Sequence, residues 1–315
     1  MKHTLKITLI LIAMFLIAQL VGIAVINQYK PDVKQINVDG KTIENKTYNF
    51  PFGMNPPQDT SPESNLWSIV IAIALGVIII LTLMKVRAEL FIRFWFFLVI
   101  VFALGVTINS IIVHSQISLS ARYLIIVGIP LILAIYKVFR RNMIIHNLTE
   151  LMVYPGIAAI IVPLLNLPMT VILLVLISVY DIYAVWQAGF MQKMAKYQIE
   201  KVKVFAGLFV PYIRKEDKAL LEKLKKSKSK GKGKKIKVSL AILGGGDVVF
   251  PLILAGVVLM TFGFFSAIII ALGATIALSF LFYYSEKGKF YPAMPFITGG
   301  CLIALGLVYL INYLM

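Results

Sequence analysis

Runs of apolar residues, each near the roughly 20-residue length that lets a helix cross a bilayer, recur along the whole chain. They fall at about 5–26, 67–84, 94–113, 123–139, 151–165, 169–189, 239–260, 262–284 and 291–314. The pattern predicts an all-α membrane protein of about nine transmembrane helices. The connections at 166–168 and at Thr261 are short, so eight and ten are the neighbouring counts. Lys2 precedes the first run and Lys6 stands at its start, as basic residues do in a signal peptide. That run is too long for a signal's apolar region, however, and no small-residue cleavage site follows, which predicts a retained anchor.

Two polar insertions divide the array into a six-span half at 1–189, a loop at 190–238 and a three-span part at 239–315. Within the first half, the segment 27–66 is rich in Pro, Asn and Asp and contains Asn45-Lys46-Thr47, a glycosylation-type triplet. Polar and apolar residues alternate at 201–205 and again at 235–238, predicting two short strands at the membrane surface.

Composition agrees with the span pattern and excludes a soluble single-core protein. Apolar residues make up 60% and charged residues 14%, against roughly 45–50% and about 25% in ordinary soluble domains. The net charge of +17 sets the orientation through the positive-inside rule. With nine spans and a cytoplasmic N-terminus, 26 of the 31 Lys and Arg fall in the cytoplasm, leaving only Lys30, Lys34, Lys41, Lys46 and Arg122 outside. The loop 27–66 and the C-terminus are then external, and 190–238 is a basic cytoplasmic loop. That loop carries 16 basic and 4 acidic residues, which suits a solvated tether beside anionic lipid. No nucleic-acid partner is expected, because the basic run lacks interleaved aromatics and any folded basic motif. The single Cys301 allows no internal disulfide and builds no zinc site. Cys301, Trp67, Trp95 and Trp186 read as packing and interface anchors.

Candidate chemistry lies in the acids. Five acidic residues sit in 27–66, and Glu89, Glu150, Glu200, Glu216, Asp217, Glu222 and Glu286 fall in loops or at their edges. Asp181 and Asp247 remain inside apolar spans, where a carboxylate costs roughly 2.5–3.5 kcal/mol on insertion scales. Each lies nine residues from the basic loop, or roughly 13 Å along a helix, so antiparallel neighbours can bring the two together. Two ionised carboxylates about 4 Å apart would repel by about 4 kcal/mol at an effective dielectric near 20, so one proton is expected to be shared. Such a pair can polarise a water, one member acting as base and the other as acid toward a peptide carbonyl. His114 and His146 sit at span ends and His3 at the N-terminus, which suits interfacial or solvated side chains.

Ser178-Val179-Tyr180-Asp181-Ile182 in span six, Leu243-Gly244-Gly245-Gly246-Asp247-Val248 in span seven and Pro292-Ala293-Met294-Pro295 in span nine resemble three motifs of presenilins and signal peptide peptidases, YD, GxGD and PAL. Order, spacing and span number agree; Met294 stands where the family has Leu. The likeness covers the C-terminal half. The Gly244–Gly246 run with Val248-Val249-Phe250-Pro251 looks more like signal peptide peptidases and the inside N-terminus looks like presenilin, so the chain most resembles the presenilin-like homologues of archaea. The resemblance implies an intramembrane aspartyl endopeptidase with Asp181 and Asp247 catalytic. Tyr180, Gly244, Gly245, Gly246, Pro292, Ala293 and Met294 would shape the active site. Physically, the glycines relax the backbone beside Asp247, and Pro292 and Pro295 favour an unwound entry over 290–294.

No cofactor is expected, and two carboxylates without a nearby histidine are too few for a divalent metal. The implied substrates are single-span membrane proteins. Once unwound, a substrate could add as a strand against 201–205 and 235–238. Localisation would be multi-pass in the cell membrane, among lipid. A cation or proton-coupled transporter using the paired Asp is the alternative reading.

Overall fold

The computed structural model describes residues 5–38, 41–57, 60–140, 142–187, 190–212, 239–286 and 291–314. Among these residues, nine helices are long and apolar enough to cross a membrane. In chain order they are α1 (Leu5–Asn27), α2 (Pro62–Val86), α3 (Glu89–Ile112), α4 (Leu119–Phe139), α5 (Met143–Ile161), α6 (Leu167–Ile182), α8 (Gly245–Phe262), α9 (Phe264–Tyr284) and α10 (Met294–Leu314). A shorter helix, α7 (Phe190–Tyr197), follows α6.

The two short connections hold because each carries its own stop signal. Asn166 caps α6 by accepting the Met169 N–H at 3.0 Å, with Pro168 in the first turn. Between α8 and α9 stands Gly263 at φ +92°, a conformation that only glycine adopts without cost.

Span seven begins later than its apolar run. Ser239–Gly244 forms a strand, β4, and only from Gly245 does the chain become helical. A short apolar run cannot be assigned to helix or strand by periodicity alone, and the glycines at 244–246 break any helix arriving from 239. The residue count that placed Asp181 and Asp247 at equal depth assumed helix throughout and does not apply; their juxtaposition rests on the packing of α6 against α8.

The partner of β4 is β3 (Gly207–Tyr212), antiparallel, with Gly207 opposite Gly244 and Tyr212 opposite Ser239. The strand expected at 201–205 is absent. Residues 198–202 form a π-turn, and Lys203 takes a left-handed conformation at φ +63°. Val202 and Val204 are buried with Ile92, Leu104 and Val153. The Arg93 side chain donates to the carbonyls of Val202, at 2.6 Å, and Lys201, at 3.2 Å. Those carbonyls are therefore satisfied without a ladder, and the alternation reflects docking against α3. The strand expected at 235–238 lies outside the described residues.

A second hairpin, β1 (Asp32–Val38) with β2 (Lys41–Thr47), stands in the first polar insertion. Beneath it, Tyr29 stacks on Phe50 and donates its hydroxyl hydrogen to the Val106 carbonyl at 2.6 Å.

Of the nine spans, α8 has the largest buried share, packing against α1, α5, α6, α9 and α10. Glycines set how closely α1 approaches it: a Cβ on Gly22 would lie 2.3 Å from Leu252 Cδ2, and one on Gly256 would lie 2.9 Å from Ile26 Cδ1. By contrast, α2 stands at the periphery beside α3 and α6, with only Leu66 buried.

Candidate active site

Asp181 is next to last in α6, and a π-turn over 183–187 follows it. Its side chain is buried. One carboxylate oxygen, Oδ2, accepts the Met294 backbone N–H at 3.0 Å, and the Ala293 backbone N–H also donates to the carboxylate. Both donors come from the start of α10, where the four leading N–H groups of a helix have no partner within it. Pro292 and Ala293 are non-helical as expected, but Met294 is already helical, and 290 lies outside the described residues. Ala293 and Met294 are thus brought directly to Asp181, with Pro292 one residue before them in the chain. One turn before it, Ser178 donates to Leu174 and pairs with Thr298 of α10 at 2.7 Å, fixing α6 against α10.

Asp247 is the third residue of α8, and its carboxylate reaches back to accept the Gly244 N–H. This is the carboxylate half of a capping box, applied to a glycine cap. Gly244 leaves room for it: a Cβ there would stand 3.1 Å from Asp247 Oδ2. Gly245 is needed for a different contact, since its Cβ would meet Tyr154 Cε1 at 3.0 Å and Ala206 O at 3.3 Å. Gly246 is exposed beside Asp247. The two aspartates come within electrostatic reach of each other. Tyr180 is half-buried, next to Asp181 in the chain.

Pro251, one turn on, has no N–H to give the Asp247 carbonyl, so the first turn of α8 lacks that bond. An interhelical contact supports the turn instead. Gln19, fully buried on α1, donates from Nε2 to the Val248 carbonyl at 2.9 Å.

The β3–β4 sheet ends at this site and has one closed and one open edge. The Asn147 side chain donates to the Phe209 carbonyl at 2.7 Å and accepts the Phe209 N–H at 2.9 Å, as a neighbouring strand would. His146 Nε2 lies 2.8 Å from the Gly207 carbonyl, and Pro211 has no donor. The outer edge of β3 is therefore occupied by α5. Because strand groups alternate in direction, the outward groups of β4 are those of Leu240, Ile242 and Gly244. No further strand pairs with them among the described residues.

Two placements correct the sequence reading. Glu150 is no loop-edge acid: it lies within α5, buried, in an ion pair with the equally buried Lys137 of α4. The true α5 starts at Met143, so estimating the span from 151 put this acid outside it. His146 is not solvated either; it contacts β3 and stacks on Phe209 at 4.6 Å. The i, i+4 spacing of His146 and Glu150 was the available signal that one helix face carries both. Among the described residues, no group of three or more His, Cys, Asp or Glu could hold a metal ion.

Solved structures of a presenilin family intramembrane aspartate protease share this architecture. The one in space group C222 aligns with a TM-score of 0.60 at 17% identity, covering 96% of this chain and 99% of the other. The one in space group P2 aligns at 0.59 and 17% identity, covering 98% and 97%. No curated protein matches the chain. The sequence matches the family model described as signal-peptide peptidase, presenilin aspartyl protease over residues 47–315. The chain therefore belongs to the signal-peptide peptidase and presenilin aspartyl protease family, and is a multi-pass membrane protein and an intramembrane aspartyl protease.

Proposed function

We propose that Asp181 and Asp247 together activate one water to hydrolyse a peptide bond inside the transmembrane segment of a single-span membrane protein. The observation that carries this reading is the seating of Asp181 on the Ala293 and Met294 amides, on the helix that packs against both α6 and α8. With two amide donors, Asp181 is the better seat for negative charge and acts as base. Asp247 carries the shared proton. The water oxygen adds to the carbonyl carbon as its proton passes to Asp181, while the Asp247 proton passes to the carbonyl oxygen. On collapse Asp181 protonates the leaving nitrogen, the C–N bond breaks, and Asp247 recovers a proton from the diol.

A helical substrate hides its carbonyls and must be unwound first. The open groups of Leu240 and Ile242 offer an edge on which an unwound segment satisfies its backbone by strand addition. This places the added strand on β4, which runs into Gly244 and so to Asp247, and not on β3, where Asn147 and His146 occupy the edge.

The basic asymmetry of the loops supports a cytoplasmic N-terminus, an external C-terminus and a site near the cytoplasmic side of the cell membrane. The division at 1–189, 190–238 and 239–315 then separates the Asp181 half from the Asp247 part by the basic loop. The transporter alternative rests on the paired acids beside a loosened helix, whereas the family to which the chain belongs is one of aspartyl proteases.

The test is purified protein reconstituted with a single-span reporter, with products mapped by mass spectrometry. Cleavage within the span by wild type and none by Asp247→Ala is the expected result. Intact reporter with both proteins overturns the reading.

A further inference from the structure

Asn147 stands near the start of α5, half-buried against the outer edge of β3. Its side-chain amide makes both bonds that a third strand would make to Phe209, donating to the carbonyl at 2.7 Å and accepting the N–H at 2.9 Å. A neutral amide carries a donor and an acceptor together, whereas a carboxylate would serve only the N–H and an ammonium only the carbonyl. Asn147 also has one choice of partner. Leu208 and Val210 turn their backbone groups toward β4. Of the next outward residues, Gly207 has its carbonyl 2.8 Å from His146 Nε2, and Pro211 has no N–H.

Two strands alone make a marginal sheet unless a third strand or a helix supports them. The β3–β4 pair is such a sheet, and α5 supplies the support through Asn147 and through His146, which stacks on Phe209. The ladder runs on past β4, because the Gly245 N–H donates to the Ala206 carbonyl at 3.2 Å. Gly245 opens α8 and stands two residues before Asp247. A path of backbone bonds thus leads from Asn147 across β3 to the helix that carries Asp247.

We propose that Asn147 is a positioning residue that sets which peptide bond of the substrate span is cut. The inference rests on the protease reading above. A segment added on β4 takes its place from the groups of Leu240 and Ile242, so the bond it presents depends on where β4 stands relative to the aspartates. On its own strand, β4 joins α8 through Gly244, Gly245 and Gly246, a link that leaves the sheet free to tilt. Asn147 is the second attachment, on the far strand, and α5 itself packs against α8. The tolerance is narrow. A strand rises about 3.3 Å per residue, so a shift of the edge by that length brings the neighbouring bond to the site, and about 1 Å already costs rate.

The experiment uses the full chain, reconstituted with one single-span reporter, with every product mapped by mass spectrometry and thermal unfolding followed on the same preparations. Wild type is compared with Asn147→Leu, close in size but making neither bond, and with Asn147→Gln, which keeps the amide on a longer stem. Cleavage at the two flanking bonds, relative to the main bond, is expected to rise at least about tenfold in Asn147→Leu, about 1.4 kcal/mol of lost discrimination, and to stay within about twofold of wild type in Asn147→Gln. A loss of stability alone lowers the amount of product and leaves this ratio unmoved. Should Asn147→Leu fail to fold, Asn147→Asp keeps the size and the acceptor, loses the donor, and is expected to raise the same ratio. An unchanged ratio in the folded variant, whatever its rate, overturns the assignment, and so does equal spreading in Asn147→Leu and Asn147→Gln. Either result leaves the protease standing, whereas failure of wild type to cleave the reporter overturns the protease reading and this inference with it.

Discussion

Gln19 lies on α1, far in sequence from either aspartate, yet it bonds the residue that follows Asp247. Replacing it with Leu removes the donor to the Val248 carbonyl and also the buried Oε1, which has no partner. The lost interhelical bond is worth about 0.6 kcal/mol on average and at most about 1.7 kcal/mol in membrane-protein cycles. Removing the orphaned acceptor offsets that by about 1–3 kcal/mol, so overall stability should change little. Positioning does not share in the offset, because Pro251 has already taken one bond from the same turn. If the whole lost constraint appears in the barrier, 0.6–1.7 kcal/mol corresponds to a fall in kcat of about 3- to 18-fold. KM should hold, since the hydrogen bond of the Gln19 side chain goes to the Val248 carbonyl within α8. The assay is steady-state reporter cleavage by wild type and Gln19→Leu in the same lipid, with thermal unfolding monitored in parallel. A kcat within twofold of wild type in a fully folded variant would refute the reasoning. So would a loss of rate that merely tracks loss of folded protein.

Three further outcomes follow from the same geometry. Gly244→Ala suits the backbone, at φ −64°, but its Cβ would press on Asp247 Oδ2 at 3.1 Å; kcat should drop at least about tenfold with an unchanged melting temperature, measured together on one preparation. A cysteine replacing Lys230 should resist an impermeant maleimide outside intact cells, while one replacing Asp39 should react; Cys301 is buried and gives a low background. The reverse labelling would invert the topology. Matched reporters differing only in orientation should be cleaved faster with the N-terminus outside, because strand addition on β4 has one sense relative to the aspartates; equal rates would show that the edge does not set direction.

Much of this molecule is legible in its apolar runs, because a membrane span needs only length and apolarity to be recognised. The sheet is less so. β4 is apolar throughout and reads as the start of span seven, and only the three glycines after it betray the change of structure. The alternation at 201–205 is real but serves burial of Val202 and Val204, while the strand forms a few residues later. The first hairpin was signalled by Asp39-Gly40 between Val38 and Lys41, a favoured hairpin dipeptide, within a segment whose polarity suggested only loop. At the site, the motifs marked Asp181, Asp247 and the 292–294 segment. Gln19, Asn147 and the Lys137–Glu150 pair were invisible because their roles depend on which helices are neighbours, and no local pattern encodes that.

The central claim is that the two aspartates work as a unit on one water, and a rate cycle tests it most directly. Asp181→Asn, Asp247→Asn and the double variant are compared with wild type in single-turnover cleavage of one reporter. Residues that act together are strongly non-additive, so each single variant should lose as much activity as the double. Losses that add in free energy, or substantial cleavage by either single variant, would contradict the account.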